Sequence, residues 1–304
     1  MKKTLFIAGA LMLLIPALAG AQALPYTAAE TEASGLARAG AGLAATSDVS
    51  CAAFSNAAAV PFAESSLDVS AGYTLWQPSA AGSNIIGAAG AYNIKDRLGV
   101  ALGFRYGINP AYEVTGASGS AAGTFTPSDM QLSAGLGWRF LPFLSVGATV
   151  GYASSSLAEG HSVGTVTSDV FAMASLSGFR AAIGVSNLGG SVTSAGGAKF
   201  SLPTSAAVGA GYDRVFADRH GIDVTLDADC YFSGAFSAAV GAEYTYGGMV
   251  SVRAGYRYGG KTVLPSFASV GAGVRFAGAR LDLAYVIASG PMKNTLALSL
   301  GYSF

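Results

Sequence analysis

Charge is scarce in this chain. Asp, Glu, Lys and Arg make up 11% of its 304 residues, where an ordinary soluble domain carries about 25%. Seventeen basic residues cancel seventeen acidic ones, so no basic face is available to hold nucleic acid. Histidine and cysteine number two each, too few for the clusters that ordinarily bind zinc. Long apolar runs are also missing. Beyond the first twenty or so residues no stretch of eighteen apolar residues occurs, which excludes membrane-spanning helices. Neither a nucleophile elbow nor a zinc-ligand spacing is present, and the chain reads as non-enzymatic, without a cofactor.

What remains is apolar and glycine-rich. Hydrophobic residues are 51% of the total and 42 residues are glycine; mean hydropathy is +0.46. Glycine at that density weakens helices throughout. High apolarity without long apolar runs fits strands whose alternate residues meet lipid. A soluble sandwich also alternates, but its outer face would carry far more Lys and Glu. Residues 1–21 form a secretory signal: Lys2 and Lys3, an apolar run from Leu5 to Leu18 broken by Pro16, then Ala19-Gly20-Ala21 and Ala21-Gln22-Ala23. Cleavage is expected after Ala21 or Ala23; the alternative is a short membrane anchor.

Fourteen alternating segments follow, at 66–76, 84–94, 97–106, 128–140, 144–153, 167–177, 179–187, 204–213, 221–232, 236–246, 249–258, 267–276, 280–288 and 295–304. Most have the nine to eleven residues, roughly, of a tilted membrane-spanning strand. In the third, Leu98, Val100, Leu102, Phe104 and Tyr106 oppose Gly99, Ala101, Gly103 and Arg105. The fourth, tenth and eleventh sort in the same way, with every charge on the face away from the large apolar residues. Arg at the lipid midplane costs roughly 2–4 kcal/mol, so a barrel imposes this sorting. The second, sixth and thirteenth segments are ambiguous, with small or apolar residues on both sides. The final strand ends on Phe304, and a terminal aromatic resembles the closing signal of bacterial outer-membrane barrels.

The expected fold is therefore all-β: a fourteen-stranded antiparallel transmembrane β-barrel over residues 66–304, integral to the outer membrane and in contact with its lipid. An even strand count places both termini in the periplasm. Outer loops are expected at 77–83, 107–127, 154–166, 188–203, 233–235, 259–266 and 289–294, longer than the turns between them except at 233–235 and at the 214–220 turn. Tyr73, Trp76, Tyr106, Trp138, Tyr152, Tyr212, Tyr246, Tyr258 and Tyr302 stand near strand ends, as interfacial girdles do.

Residues 24–65 do not alternate. A barrel of this width needs something inside it, and the segment is apolar with few charges, unlike a disordered leader. It is expected to fold into the lumen as a plug, with a short helix near Cys51–Val60 capped by Asp48 or Ser50. Leu36, Leu43, Phe54, Val60 and Phe62 would either line an apolar pocket or pack the plug against the wall. On the inward face of the strands stand Asp223, Asp227 and Asp229, then Glu243, then Arg253, Arg257 and Arg275. They read as a luminal salt-bridge network bracing plug and wall rather than as acid/base machinery. Cys51 belongs inside and Cys230 shares parity with the lipid-facing Val224, Leu226 and Phe232, so both thiols are expected free.

The N-terminal motifs carry a family resemblance. Arg38-Ala39-Gly40-Ala41-Gly42-Leu43, then Ser47-Asp48-Val49-Ser50, then Ser55-Asn56-Ala57-Ala58 is similar to the start of the PorV/PorQ family, within the wider FadL-like group of fourteen-strand barrels. Ala57 stands where that family has Pro, and Asp48 alone remains of its acidic pair. The resemblance implies a plug or hatch held through Arg38, Gly40, Gly42, Asp48 and Asn56. It also implies a role in type IX secretion in Bacteroidota, with secretion components or cargo C-terminal domains as partners. The alternative implied by the wider group is transport of hydrophobic small molecules, with an apolar ligand in the lumen.

Overall fold

A computed structural model describes residues 22–116, 119–194, 196–260 and 264–304. The expected signal peptide, residues 1–21, lies outside the described residues. Fourteen strands close into one antiparallel barrel: β1 (Leu67–Trp76), β2 (Ser83–Ile94), β3 (Leu98–Ile108), β4 (Ser128–Leu141), β5 (Leu144–Ala158), β6 (His161–Leu176), β7 (Phe179–Gly189), β8 (Ser205–Phe216), β9 (His220–Tyr231), β10 (Phe236–Tyr246), β11 (Val250–Tyr258), β12 (Phe267–Phe276), β13 (Ala279–Ile287) and β14 (Leu296–Ser303). Each strand pairs with its sequence neighbours, and β14 closes on β1 with Val69 opposite Tyr302. The ring has no free edge, which removes the aggregation hazard of an apolar terminal strand.

Period two sorts the side chains as the sequence implies. Leu102, Leu132, Leu136, Ile183, Val240 and Leu300 point outward and are exposed, while Arg105, Gln131, Ser133, Arg253 and Ser299 are buried. The three ambiguous strands resolve. On β13, Arg280, Asp282, Ala284 and Val286 face inward and Leu281, Leu283, Tyr285 and Ile287 outward. On β6 the inward set includes Phe171 and Met173; both join a buried cluster with Val49, Ala58 and Val60 of the N-terminal segment.

Two expectations about the strand ends change. The loop expected over 154–166 does not form. β5 and β6 extend through it, with Ser154, Ser155 and Ser156 opposite Gly164, Val163 and Ser162, and Gly160 (φ 70°) makes the turn. Serine-rich residues past the apolar band still satisfy the ladder, although they lack the apolar alternation that marks a wetted or lipid-facing strand. Trp76, expected in an outer girdle, is buried and points inward, whereas Tyr73, Trp138, Tyr152, Tyr246, Tyr258 and Tyr302 are exposed on the outside. The opposite end of the barrel has tight connections; Ser177-Gly178 and Ala277-Gly278 both take positive φ at two successive residues, the signature of twisted two-residue hairpins.

The N-terminal segment contributes one turn of α-helix, α1 (Ala33–Ala37), and three 3₁₀ turns, Pro25–Ala28, Val49–Phe54 and Ala57–Phe62. It packs on inward-facing residues around the ring: Tyr26 Oη donates to the carbonyls of Met130 and Ser154, the Ala33 amide donates to Ser299 Oγ, and Ser145 Oγ donates to the Ala58 carbonyl. Glycines on the wall make room. A Cβ at Gly137 would overlap the Ala57 carbonyl, one at Gly147 the Ala58 amide, and one at Gly255 the Arg38 carbonyl carbon. The wall begins and finishes at one end, where the Leu67 amide donates to Phe304 O. Gln22, however, bridges Ser201 at the other end, where the longer loops lie. The described chain thus starts at the opposite mouth from Phe304, because its first forty or so residues run the length of the lumen.

Candidate functional site

The inward carboxylates and arginines converge on the N-terminal segment. Asp48 is the hub. Its carboxylate, about 1% exposed, is reached by Arg275 Nη2 at 2.6 Å, Arg280 Nη1 at 3.2 Å and Arg253 Nη2 at 3.5 Å. Arg253 also binds Glu243 at 2.7 Å and Asp282 at 2.5 Å, and Arg280 binds Asp68 at 2.6 Å. Burial alone would raise the Asp48 carboxyl, but Arg280, Arg253, Arg275 and Arg38 together hold it well below the usual carboxylate range. Asp48 sits at the cap position of the Val49–Phe54 turn yet makes no side-chain capping bond; its charge goes to the wall instead. The expected cap is made one turn later, where Asn56 Oδ1 accepts from the Ala58 amide at 3.0 Å and Asn56 Nδ2 donates to the Leu43 carbonyl at 2.8 Å.

A second set of bonds holds the glycine-rich stretch. Asp227 Oδ2 accepts from the amides of Gly42 (2.7 Å) and Leu43 (2.9 Å). Arg257 donates to the carbonyls of Ala39 (2.9 Å) and Gly40 (3.1 Å), to Ser237 Oγ (2.7 Å), and meets Asp229 at 3.3 Å. Gly40 has φ 71°, a conformation open to glycine at little cost. Asp223 belongs to a separate pair with Arg180 at 2.6 Å. Of the residues read from the sequence, Asp48, Glu243, Arg253 and Arg275 therefore form one cluster, Gly40, Gly42, Asp227, Asp229 and Arg257 another, and Asp223 stands apart. Arg38 is buried among them, with Nε and Nη1 unbonded.

Arg280, Asp282 and Asp68 complete the Asp48 cluster and were not singled out by sequence reasoning. Neither was Arg105, whose Nε and Nη2 donate to Gln131 Oε1 at 2.8 and 2.6 Å while Nη1 donates to the Ala29 carbonyl at 2.7 Å. It stacks on Phe54 at 4.7 Å. Odd-numbered parity was the available signal for Arg105, but its partners are an amide and carbonyls, which leave no trace in charge patterning. Cys51 lies beside Ser70 and Cys230 opposite Ala206 and Phe236, and both are unbonded to sulfur.

The apolar feature is elsewhere. A cavity of about 840 Å³ opens at the end with the longer loops. Leu24, Trp76, Ile85, Val163, Val192 and Phe200 are among the residues that line it, and Tyr26 and Arg105 border it. One side is polar: Ser83, Asn109, Asp129 and Ser155 form a hydrogen-bonded chain along the wall. Of the residues expected to line an apolar pocket, none lines this one. Leu36, Leu43 and Phe54 line a smaller chamber deeper in the lumen, Val60 packs at Gly99, and Phe62 stacks under Arg139.

A closed fourteen-strand antiparallel wall is an arrangement seen in solved structures. The fold is the FadL-like barrel. The CymD monoaromatic hydrocarbon channel matches over 93% of this chain and 99% of its own, with TM-score 0.63 and 13% identity. The Ralstonia pickettii toluene transporter TbuX matches over 90% and 98%, at TM-score 0.61 and 12% identity. A Pseudomonas aeruginosa FadL homologue matches over 90% and 98%, at TM-score 0.56 and 15% identity. No family model and no curated protein matches the chain. These likenesses support the wider FadL-like resemblance, and nothing in them supports the PorV/PorQ branch specifically.

Proposed function

We propose that this protein is a non-enzymatic outer-membrane channel for small hydrophobic molecules. The observation that carries the reading is the 840 Å³ apolar cavity at the loop end, a volume within the roughly 300–1,000 Å³ of small-molecule sites. It sits in a barrel whose structural neighbours include a monoaromatic hydrocarbon channel and a toluene transporter. The exposed apolar band meets outer-membrane lipid, the loop end faces outward, and the tight turns face the periplasm. Residues 24–65 act as the plug, fastened by Asp48, Asn56, Gly40, Gly42 and the arginines that reach them. This reading reverses the order suggested by the N-terminal motif. The motif residues spend their bonds inside the barrel, which any plugged barrel requires.

The test is equilibrium binding of radiolabelled toluene to the purified protein in detergent. Saturable binding that a bulky side chain at Val163 (V163F) weakens supports the reading; uptake no greater than that of empty micelles contradicts it.

A further inference from the structure

The polar side of the apolar cavity is an ordered row. As a carboxylate, Asp129 only accepts hydrogen bonds. Asn109 therefore turns its amide nitrogen to Asp129 Oδ2, at 3.0 Å, and its Oδ1 accepts from Ser83 Oγ. Ser155 Oγ donates to Asp129 Oδ1 from the other side. All four residues line the cavity. Both hydroxyl hydrogens are committed within the row, so what it shows the cavity is chiefly acceptor oxygen.

Asp129 keeps spare capacity. A carboxylate has about four lone-pair sites, and two are taken. Among the described residues Asp129 belongs to no ion pair. Arg105, two residues before Gly107 on β3, turns instead to Gln131 Oε1 and to the carbonyls of Thr27 and Ala29.

A glycine holds the space in front of the carboxylate open. Ile85, Gly107, Asp129 and Ser155 stand opposite one another across β2, β3, β4 and β5. Gly107 and Ile85 also line the cavity. A Cβ on Gly107 would sit 3.7 Å from Asp129 Oδ2 and 3.8 Å from Ile85 Cγ1. It would fill the gap between an apolar side chain and the carboxylate. Without it the rung presents an apolar surface, a gap one strand wide, and an acceptor, in that order.

We propose that the cavity selects small aromatic solutes bearing one hydroxyl, with the ring laid against Ile85 over Gly107 and the hydroxyl donating to Asp129. This rests on the transport reading above and names its substrate class. A bare hydrocarbon in the same place covers the carboxylate without bonding it, and a buried polar group short of partners opposes binding. A site built around a substrate hydroxyl rejects the analogue lacking it more strongly than an apolar pocket separates two apolar molecules. An ether of the same shape gains little, because the row offers few donors. An ammonium meets the positive charge of Arg105, which also lines the cavity; a neutral hydroxyl does not.

The test is equilibrium dialysis of p-cresol, 4-methylanisole and toluene against the purified protein in detergent, corrected for empty micelles. The methyl ether keeps the ring and oxygen of p-cresol but has no hydrogen to donate. Asp129→Leu is expected to weaken p-cresol about tenfold or more, without weakening the ether or toluene. Gly107→Ala leaves the row intact and is expected to weaken p-cresol by a smaller factor. It decides if Asp129→Leu does not fold, which the heat-dependent shift of barrel mobility on gels shows. Toluene binding together with a p-cresol affinity that neither folded variant lowers overturns the hydroxyl site and keeps the transport reading. Equal weakening of all three solutes overturns the hydroxyl site as well. Wild-type protein that binds none of the three removes both.

Discussion

At the residue scale, buried charge fastens the N-terminal segment to the wall. Arg253 holds three carboxylates and is about 3% exposed. Its replacement by leucine leaves the buried Glu243 and Asp282 carboxylates short of a partner, a loss of about 3–5 kcal/mol. A clear drop in the urea midpoint of the barrel in micelles is the expected result. Arg275→Gln, at an exposed position, is expected to cost under about 1 kcal/mol. Glu32 offers a pH signature. Burial first, and then the charge of Asp48, raise its carboxyl from the ordinary 4.5 to about 7. The folded state then binds more protons than the unfolded one between those values, so the Glu32 contribution to stability falls as pH rises from about 4.5 to about 7. Glu32→Gln should remove that slope, seen as a smaller difference between unfolding at pH 5 and at pH 7.5 than in wild type. An unchanged difference would mean Glu32 is not the titrating group. The residues legible in the sequence, such as Asp227, Glu243 and Arg257, were those on strands whose opposite face was plainly apolar. Arg280 and Asp282 escaped because β13 carries Ala284 and Val286 on the same face, where apolar residues of α1 pack and blur the alternation.

At the element scale, glycine placement decides whether the N-terminal segment can seat. Gly137 and Gly147 admit the Ala57–Phe62 turn against the wall. Gly147→Val is expected to block that seating without disturbing the ladder, since strands accept valine. Trypsin should then cut at Arg38, which is buried in the wild type; continued protection of Arg38 in the variant would contradict the packing. All fourteen strands were legible because lipid on one side and polar groups on the other enforce period two. The extension of β5 and β6 to Ala158 and His161 was not, because Ser154, Ser155, Ser156 and Ser162 rise past the band where that pressure acts. Trp76 was misplaced for a related reason. A tryptophan near a strand end suits a girdle, and only its even-numbered parity with Asp68, Ser70 and Thr74 on β1 placed it inside.

At the scale of the whole molecule, the chain is a closed wall threaded by its own beginning. Gln22 lies at one mouth and Phe304 at the other, so the segment must pass every level of the lumen, and it leaves space along the way. The apolar cavity was not legible from the sequence. Its lining is drawn from the N-terminal segment, strands β1 to β6 and several loops, and no local pattern brings Leu24, Ile85, Val163 and Phe200 together. The central claim is that this cavity takes a small apolar solute, and Trp76 on its wall reports it directly. The chain has two tryptophans, and Trp138 faces outward, so the variant Trp138→Phe leaves Trp76 alone. Titrating toluene into that protein in micelles should change the Trp76 emission along a saturating curve. A change that only follows the toluene content of the micelles, linear and without saturation, would contradict the account.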